Sequence, residues 1–471
     1  MGGAVELSRN RRRAVLAVCC MSLFIVGLDN TIVNLALPAI RRDLGASVSS
    51  LQWTIDAYTL VLASLLMLSG SMGDRLGRRR TFQTGLAVFG VGSLLCGIAP
   101  NVGMLITFRA VQAVGGSMLN PIAMSIITNI FTEPRERARA IGVWAGVVGL
   151  SMAVGPVLGG ALVGSAGWRS IFWINVPVTA VAFVLTAVLV PESRAPRPRR
   201  IDPVGQLLVI VILAGLTYGI IEGRGAGWTS PEIVGCFALA ALALAVLVPY
   251  ERRRVDPLLE LRFFRSAPFS GATLIAISGF AALAGFLFLN TLYLQETRGY
   301  SALHAGLLTL PMAAVTAVLA PISGRVVGSS GPRLPLFLAG TAMTLSGLVL
   351  SGIGTHTPVM MLVLGYVLFG AGFGMLNAPI TNAAVSGMPR AQAGVAAAIA
   401  STSRQVGISL GVAVIGSVAA AYRGPSGTGG GWWIVTACGA LVAVLGIVTT
   451  GRWARETAER LEVNRNADAT V

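Results

Sequence analysis

Apolar residues fall in blocks of roughly 20, the length a helix needs to cross about 30 Å of hydrocarbon, separated by short connections rich in Arg, Gly and Pro. The blocks predict spans near 14–38, 51–71, 81–99, 103–129, 138–163, 169–190, 203–222, 232–250, 268–293, 302–324, 334–353, 359–385, 392–420 and 431–450. A membrane barrel needs short segments of alternating apolar and polar residues, and these blocks do not alternate. Backbone groups inside lipid must be satisfied within the segment, so the blocks are expected to be helices. The expected fold is an all-α polytopic membrane protein of fourteen spans.

Composition agrees: 54% of 471 residues are hydrophobic, 11% are charged, and mean hydropathy is +0.76. The net charge of +16 raises nucleic acid as a partner. Placement argues against it. The chain has no Lys, and its 35 basic residues are all Arg, 33 of them at the ends of apolar blocks and two, Arg109 and Arg404, inside them. One set of alternate connections, with both termini, holds 27 Arg, and the opposite set holds 6. That asymmetry predicts an even number of spans with both termini cytoplasmic, in a cytoplasmic (inner) membrane. Arg9, Arg11, Arg12 and Arg13 precede the first block with no small-residue cleavage site after it, so an uncleaved first span is expected. Cys19, Cys20, Cys96, Cys236 and Cys438 lie within apolar blocks, while His304 and His356 fall in connections. None of these has metal-ligand spacing, and no nucleophile–His–carboxylate grouping is evident. An enzyme, a metal site and a cofactor are therefore not expected.

The chain repeats itself. Gly70-Ser-Met-Gly-Asp74-Arg75-Leu-Gly77-Arg78-Arg79 returns in degenerate form as Gly324-Arg-Val-Val-Gly328-Ser-Ser-Gly331-Pro-Arg333, at an offset of 254. Met118-Leu119-Asn120-Pro121 returns as Met375-Leu376-Asn377-Ala378-Pro379, at an offset of 257. Two nearly equal offsets imply two homologous halves. The expected organisation is a six-helix bundle over 1–190, two inserted helices with their linkers over 191–267, and a second six-helix bundle with a short tail over 268–471. Parallel halves of this kind put a substrate site at their interface, near the bilayer midplane.

These repeats resemble the major facilitator superfamily, and the loop Gly70–Arg80 is similar to its signature between spans two and three. Its glycines let helix ends approach closely. Asp74 can accept from nearby Arg75 or Arg78, or from a helix N-terminus, latching two helices at the cytoplasmic face. Span five carries Gly149, Gly155, Pro156, Gly159 and Gly160, which resemble the antiporter motif of drug–proton exchangers. Gly155 and Gly159 form a small-xxx-small face, and Pro156 can kink the helix. Leu28-Asp29-Asn30-Thr31-Ile32-Val33-Asn34, Trp168-Arg169-Ser-Ile-Phe-Trp-Ile-Asn175-Val-Pro177 and Arg404-Gln405-Val-Gly407 resemble signatures of the fourteen-span drug–proton antiporters. Ser170 departs from that pattern, where an aromatic is frequent. The resemblance runs from about residue 14 to 450 and implies proton-coupled export of amphiphilic drugs, antibiotics or metabolites by alternating access.

Ionisable residues inside spans are functional candidates by default. Counting residues from the span ends puts Asp29, Asp56 and Arg109 in one outer layer of the first half. Arg109 can pair fully with one carboxylate, which leaves the other poised to exchange a proton, with Asp29 the first candidate. A static ion pair that fixes helix register is the alternative. Arg404 is isolated in the second half, available to backbone carbonyls or to an anionic substrate group. Asn34, Asn290, Tyr293, Asn377, Arg404 and Gln405 are the candidate substrate contacts. Expected partners are a small-molecule substrate, protons and the lipid bilayer, and no nucleic acid. A proton-driven uptake symporter and a non-transporting membrane sensor remain alternatives. An ATP-driven pump in its usual form is excluded, because no Gly-x-x-x-x-Gly-Lys-Ser/Thr loop exists.

Overall fold

The computed structural model describes residues 8–195, 201–254, 257–258, 260–385, 393–421, 429–454 and 456–458. The first half forms α1 (Arg9–Leu44), α2 (Val48–Leu76), α3 (Arg78–Gly97), α4 (Val102–Ile130), α5 (Pro134–Ala166), α6 (Ser170–Trp173) and α7 (Asn175–Leu189). An inserted hairpin follows, α8 (Pro203–Ala226) and α9 (Pro231–Arg252). The second half forms α10 (Ala267–Leu292), α11 (Ala302–Leu308), α12 (Leu310–Ser330), α13 (Arg333–Ser351), α14 (Val359–Gly374), α15 (Asn377–Val385), α16 (Ala393–Ala421) and α17 (Gly429–Val448). No strand occurs among the described residues.

All fourteen predicted blocks fall on helix. Three are divided, as α6–α7, α11–α12 and α14–α15. The α11–α12 break precedes Pro311, which lacks the N–H that a continuous helix would need there. Among the described residues, eleven helices are long and apolar enough to cross a membrane. The remaining three blocks lie on α3, α5 and α16. Of these, α3 begins with Arg78, Arg79 and Arg80, and α16 carries Arg404 and Gln405. The predicted connection at 386–391 lies outside the described residues.

Local chemistry sets the helix ends. Ser8, Ser47 and Asn101 accept from the N–H groups of Arg11, Ser50 and Met104, satisfying donors that the first turn leaves open. Gly77 turns α2 into α3 with φ at +113°, a conformation that side chains disfavour. Small residues then bring helices together. A methyl on Gly155 would strike Thr31, and one on Gly159 would strike Ile32, so α5 lies directly on α1. In the second half Gly407 and Gly411 meet the backbone of Ile277 and Ala281, so α16 lies on α10 in the same manner. With lipid outside as apolar as the core, such close packing is a main source of association.

The core has separate centres. One surrounds Phe82, Phe89 and Leu119 in the first half. Another surrounds Phe286, Phe369 and Trp432 in the second half. A third joins Ile32, Leu51 and Phe172 of the first half to Ala284, Phe288 and Val412 of the second.

Candidate functional site

Arg109 is the centre of a buried polar network in the first half. It is 1% exposed, and Asp29 is 0% exposed. Arg109 Nη1 lies 2.5 Å from Asp29 Oδ2 and donates to Gln112 Oε1 at 2.6 Å. Its Nε donates to the Thr54 carbonyl at 3.1 Å. The guanidinium sits 4.2 Å from the centre of the Tyr58 ring, a cation–π geometry. Gln112 Nε2 returns to Asp29 Oδ1 at 3.0 Å and to Ser93 Oγ at 2.7 Å. Asn175 Nδ2 reaches Asp29 Oδ1 at 3.3 Å. Side chains from α1, α3, α4 and α7 thus satisfy one ion pair, as a buried pair in low dielectric requires.

Asp56 is separate from that network. It is 0% exposed and forms no ion pair among the described residues. Thr59 Oγ1 donates to its Oδ1 at 3.2 Å. Ser409 of α16 lies beside the carboxylate, yet Oδ2 makes no well-formed hydrogen bond. Ser409 Oγ in turn lies 3.3 Å from Thr217 Oγ1 of α8. Of the three expected layer-mates, then, Asp29 and Arg109 come together, and Asp56 faces the other half instead.

At the loop after α2, Asp74 Oδ1 lies 3.2 Å from Arg78 Nη2, one turn apart, which joins the end of α2 to the start of α3. A methyl on Gly70 would fit at 3.9 Å from Pro121, whereas one on Gly73 would strike Ile122. Arg75 also takes part in an interaction. Sequence reasoning missed Glu192, whose carboxylate accepts from the N–H groups of Arg79 at 3.1 Å and Arg80 at 3.3 Å. An acid at a helix N-terminus meets open donors and a favourable dipole. No sequence signal announced it, because Glu192 is distant in the chain. Gln112 and Asn175 were also missed, although Gln112 shares a helix face with Arg109 at i+3.

In α5 the surroundings of Gly149 lie outside the described residues. Gly160 faces Ala302 and Leu303 of α11, where a methyl would lie 2.6 Å from backbone atoms. Gly306 approaches the carbonyl of Pro156. The motif therefore packs against α1 on one side and the second half on the other. Further joins between halves are Arg41 with Glu296 at 2.9 Å, Gln295 Nε2 with the Leu35 carbonyl at 2.9 Å, and Gln52 Nε2 with the Val412 and Ala413 carbonyls at 3.0 and 2.9 Å.

The expected substrate contacts are dispersed. Asn290 accepts from the Tyr366 hydroxyl inside the second-half core. Tyr293 donates to the Gly354 carbonyl at 2.7 Å and accepts from Arg298, so its hydroxyl braces a helix end. Arg404 donates to Thr381 Oγ1 at 2.7 Å, with its guanidinium 5.9 Å from the Phe280 ring centre, and pairs with no carboxylate among the described residues. Asn34 Oδ1, Arg404 Nε and Gln405 Oε1 are buried without hydrogen-bond partners, as is Asn120 Oδ1. Asn377 opens α15, and its carbonyl accepts from Thr381 Oγ1 at 3.1 Å.

Residues 19–412 match the model of the Major Facilitator Superfamily. The chain belongs to the major facilitator superfamily. Among its relatives is the Multidrug resistance protein Stp of Mycobacterium tuberculosis, 38% identical over 85% of this chain and 75% of that protein. Another is the Tetracenomycin C resistance and export protein of Streptomyces glaucescens, 37% identical over 88% of this chain and 77% of that protein. The inward open conformation of the xylose transporter XylE from E. coli superposes with a TM-score of 0.65 at 15% identity, covering 96% of this chain and 99% of that one. That likeness is one of fold. This superfamily member is a multi-pass membrane transporter and not an enzyme.

Proposed function

We propose that this transporter exports small amphiphilic drugs, antibiotics or metabolites in exchange for protons, by alternating access. It does so with fourteen spans and both termini in the cytoplasm. The names of the relatives support the substrate class, and the Arg distribution supports the topology. The observation that carries proton coupling is Asp56: wholly buried, without a cation, at the α2–α16 contact between the halves. An uncompensated carboxylate there is costly to charge. It holds a proton while the seam is closed and releases it when the halves part and water enters. Asp29 ranked first on sequence grounds, but it is already compensated by Arg109, so its role is to hold α1 against α4. The joins at Arg41–Glu296, Gly160–Ala302 and Gln52–Val412 lie at the predicted outer ends, which supports a cavity closed outside and open towards the cytoplasm. Asp74 and Arg78 act as the cytoplasmic latch, while Gly155 and Gly159 keep α5 tight against α1. Asn34, Asn120, Arg404 and Gln405 supply hydrogen-bonding groups for substrate.

The test uses inside-out vesicles with an imposed pH gradient and a panel of antibiotics. Asp56→Asn is expected to abolish gradient-driven transport while gradient-free exchange persists, because the cavity survives. Proton release on drug addition to purified protein should vanish in the same variant. Wild-type proton release from Asp56→Asn would sink the assignment.

A further inference from the structure

The inserted hairpin touches one helix of each half. Gln206 Nε2 of α8 donates to the Ser64 carbonyl of α2, and Trp53 Nε1 of α2 donates to Glu222 of α8 at 2.8 Å. Ser417 Oγ of α16 donates to the Ile220 carbonyl at 3.0 Å. Between these contacts a cavity of about 200 Å³ remains, lined by Ser64, Met67, Gln206, Leu213, Leu247 and Thr402 among others. Among the described residues, no charged side chain lines it. Ser64 Oγ, Gln206 Oε1 and Thr402 Oγ1 are buried and have no hydrogen-bond partner. Ser64 and Gln206 are 4% and 5% exposed.

Leaving a buried polar atom unsatisfied costs about 1–3 kcal/mol, so three at one cavity point to an occupant. Water alone fits poorly. The space is several times the ~30 Å³ of one water, and each water needs 2–4 polar partners. Beyond these three groups the walls are apolar, made of Ala, Val, Ile, Leu and Met side chains. A charged head is disfavoured, since no charged group among the described residues of the lining would compensate it. A drug-sized ligand normally takes about 300–1,000 Å³, more than this cavity offers. Gln206 lies in the first turn of α8, and Leu247 near the last turn of α9, next to Arg252, Arg253 and Arg254. The cavity therefore belongs to the Arg-rich leaflet.

We propose that this crevice binds an uncharged membrane lipid carrying a free hydroxyl, with its head on Ser64, Gln206 and Thr402 and its chain against α8 and α9. The inference is independent of proton coupling, because binding itself is measured. Protein in nanodiscs would be photolabelled with a diazirine-bearing octanol and its adducts mapped by peptide mass spectrometry. Adducts are expected on residues 206–213 and 402–406, reduced by excess dioleoylglycerol but not by octylammonium. Thr402→Val should weaken labelling about fivefold, the equivalent of one hydrogen bond. Leu213→Trp, which fills the cavity, should abolish it, with thermal melting verifying the fold of both variants. Competition by octylammonium equal to that by dioleoylglycerol would overturn the proposal. So would competition by a transported antibiotic alone, or unchanged labelling in both variants.

Discussion

The two halves hold opposite chemistry at equivalent positions. At the offset of 257 set by the Met-Leu-Asn repeat, Asp29 corresponds to Phe286, Arg109 to Tyr366, Gln112 to Phe369 and Asn175 to Trp432. The first four form the buried ionic network. Their counterparts form an aromatic cluster: the Phe286 ring stacks on Phe369 at 4.3 Å and meets Tyr366 and Trp432 edge-on, each at 5.5 Å between centroids. The ionic network joins α1, α4 and α7, and the aromatic cluster joins their sequence counterparts α10, α14 and α17. The aromatic one gains packing and ring geometry without desolvating a charge. The ionic one bears the desolvation of Arg109 and Asp29, offset by the hydrogen bonds from Gln112 and Asn175 that tie α1 to α4 and α7. The two halves share glycine seams, on α1–α5 and α10–α16, while the network's buried ion pair lies in the first alone.

The largest expected effect comes from breaking the ionic copy on one side. Arg109→Ala leaves Asp29 buried without its cation and should cost about 3–5 kcal/mol. Thermal unfolding in detergent should register this as a large drop in midpoint. Asp29→Asn combined with Arg109→Gln removes both charges and should recover much of the loss while transport stays impaired. A double variant no more stable than Arg109→Ala would mean that the residues act through packing, and the contrast between halves would lose its electrostatic basis.

The aromatic copy should be more forgiving. Tyr366→Phe keeps the ring and its contact with Phe286, removing only the hydroxyl that bonds Asn290. The expected cost is about 1–3 kcal/mol, the desolvation of one unsatisfied amide oxygen. Unfolding midpoints of Tyr366→Phe and Arg109→Ala, measured side by side, check the ranking. A larger loss in Tyr366→Phe would reverse the reading of which half carries the strain.

Much of this contrast was legible in the chain. Every helix block was, because lipid imposes length and apolarity on each segment independently of its neighbours. The shared layer of Asp29, Asp56 and Arg109 followed from depth along ideal helices. The choice of Asp29 as the partner of Arg109 did not, since on sequence grounds Asp29 is the first candidate for the proton-carrying carboxylate. Nor did the exclusion of Asp56. Depth fixes the layer, but helix rotation decides which neighbour a side chain meets. On α2, the Tyr58 ring lies under Arg109, which also bonds the Thr54 carbonyl, whereas the Asp56 side chain turns towards Ser409. Rotation is set by packing between distant helices, and no local pattern encodes it. The same reason hid Glu192 at the start of α3 and the unpartnered groups at the hairpin cavity.

The smallest expected effect lies at the other end of α1. Asp43 and Arg169 come within 2.6 Å, nearly the separation of Asp29 and Arg109, but their side chains are 47% and 33% exposed. Hydrogen bonds from Trp168 and Arg169 hold the Asp43 carboxyl below its ordinary value. A depressed carboxylate contributes stability that is fully present above the unfolded value, near 3.9, and lost as pH falls through the folded one. Exposure and screening limit the contribution to about 1 kcal/mol or less. Asp43→Asn should therefore lower the unfolding midpoint slightly at pH 7, and the gap from wild type should close below about pH 4. Salt at 0.5 M should shrink the same gap while leaving the Arg109→Ala deficit intact, since buried pairs are screened much less. If salt erased both deficits equally, the Asp29–Arg109 pair would be solvent-accessible, and the distinction between a buried charge and a surface one on α1 would fail.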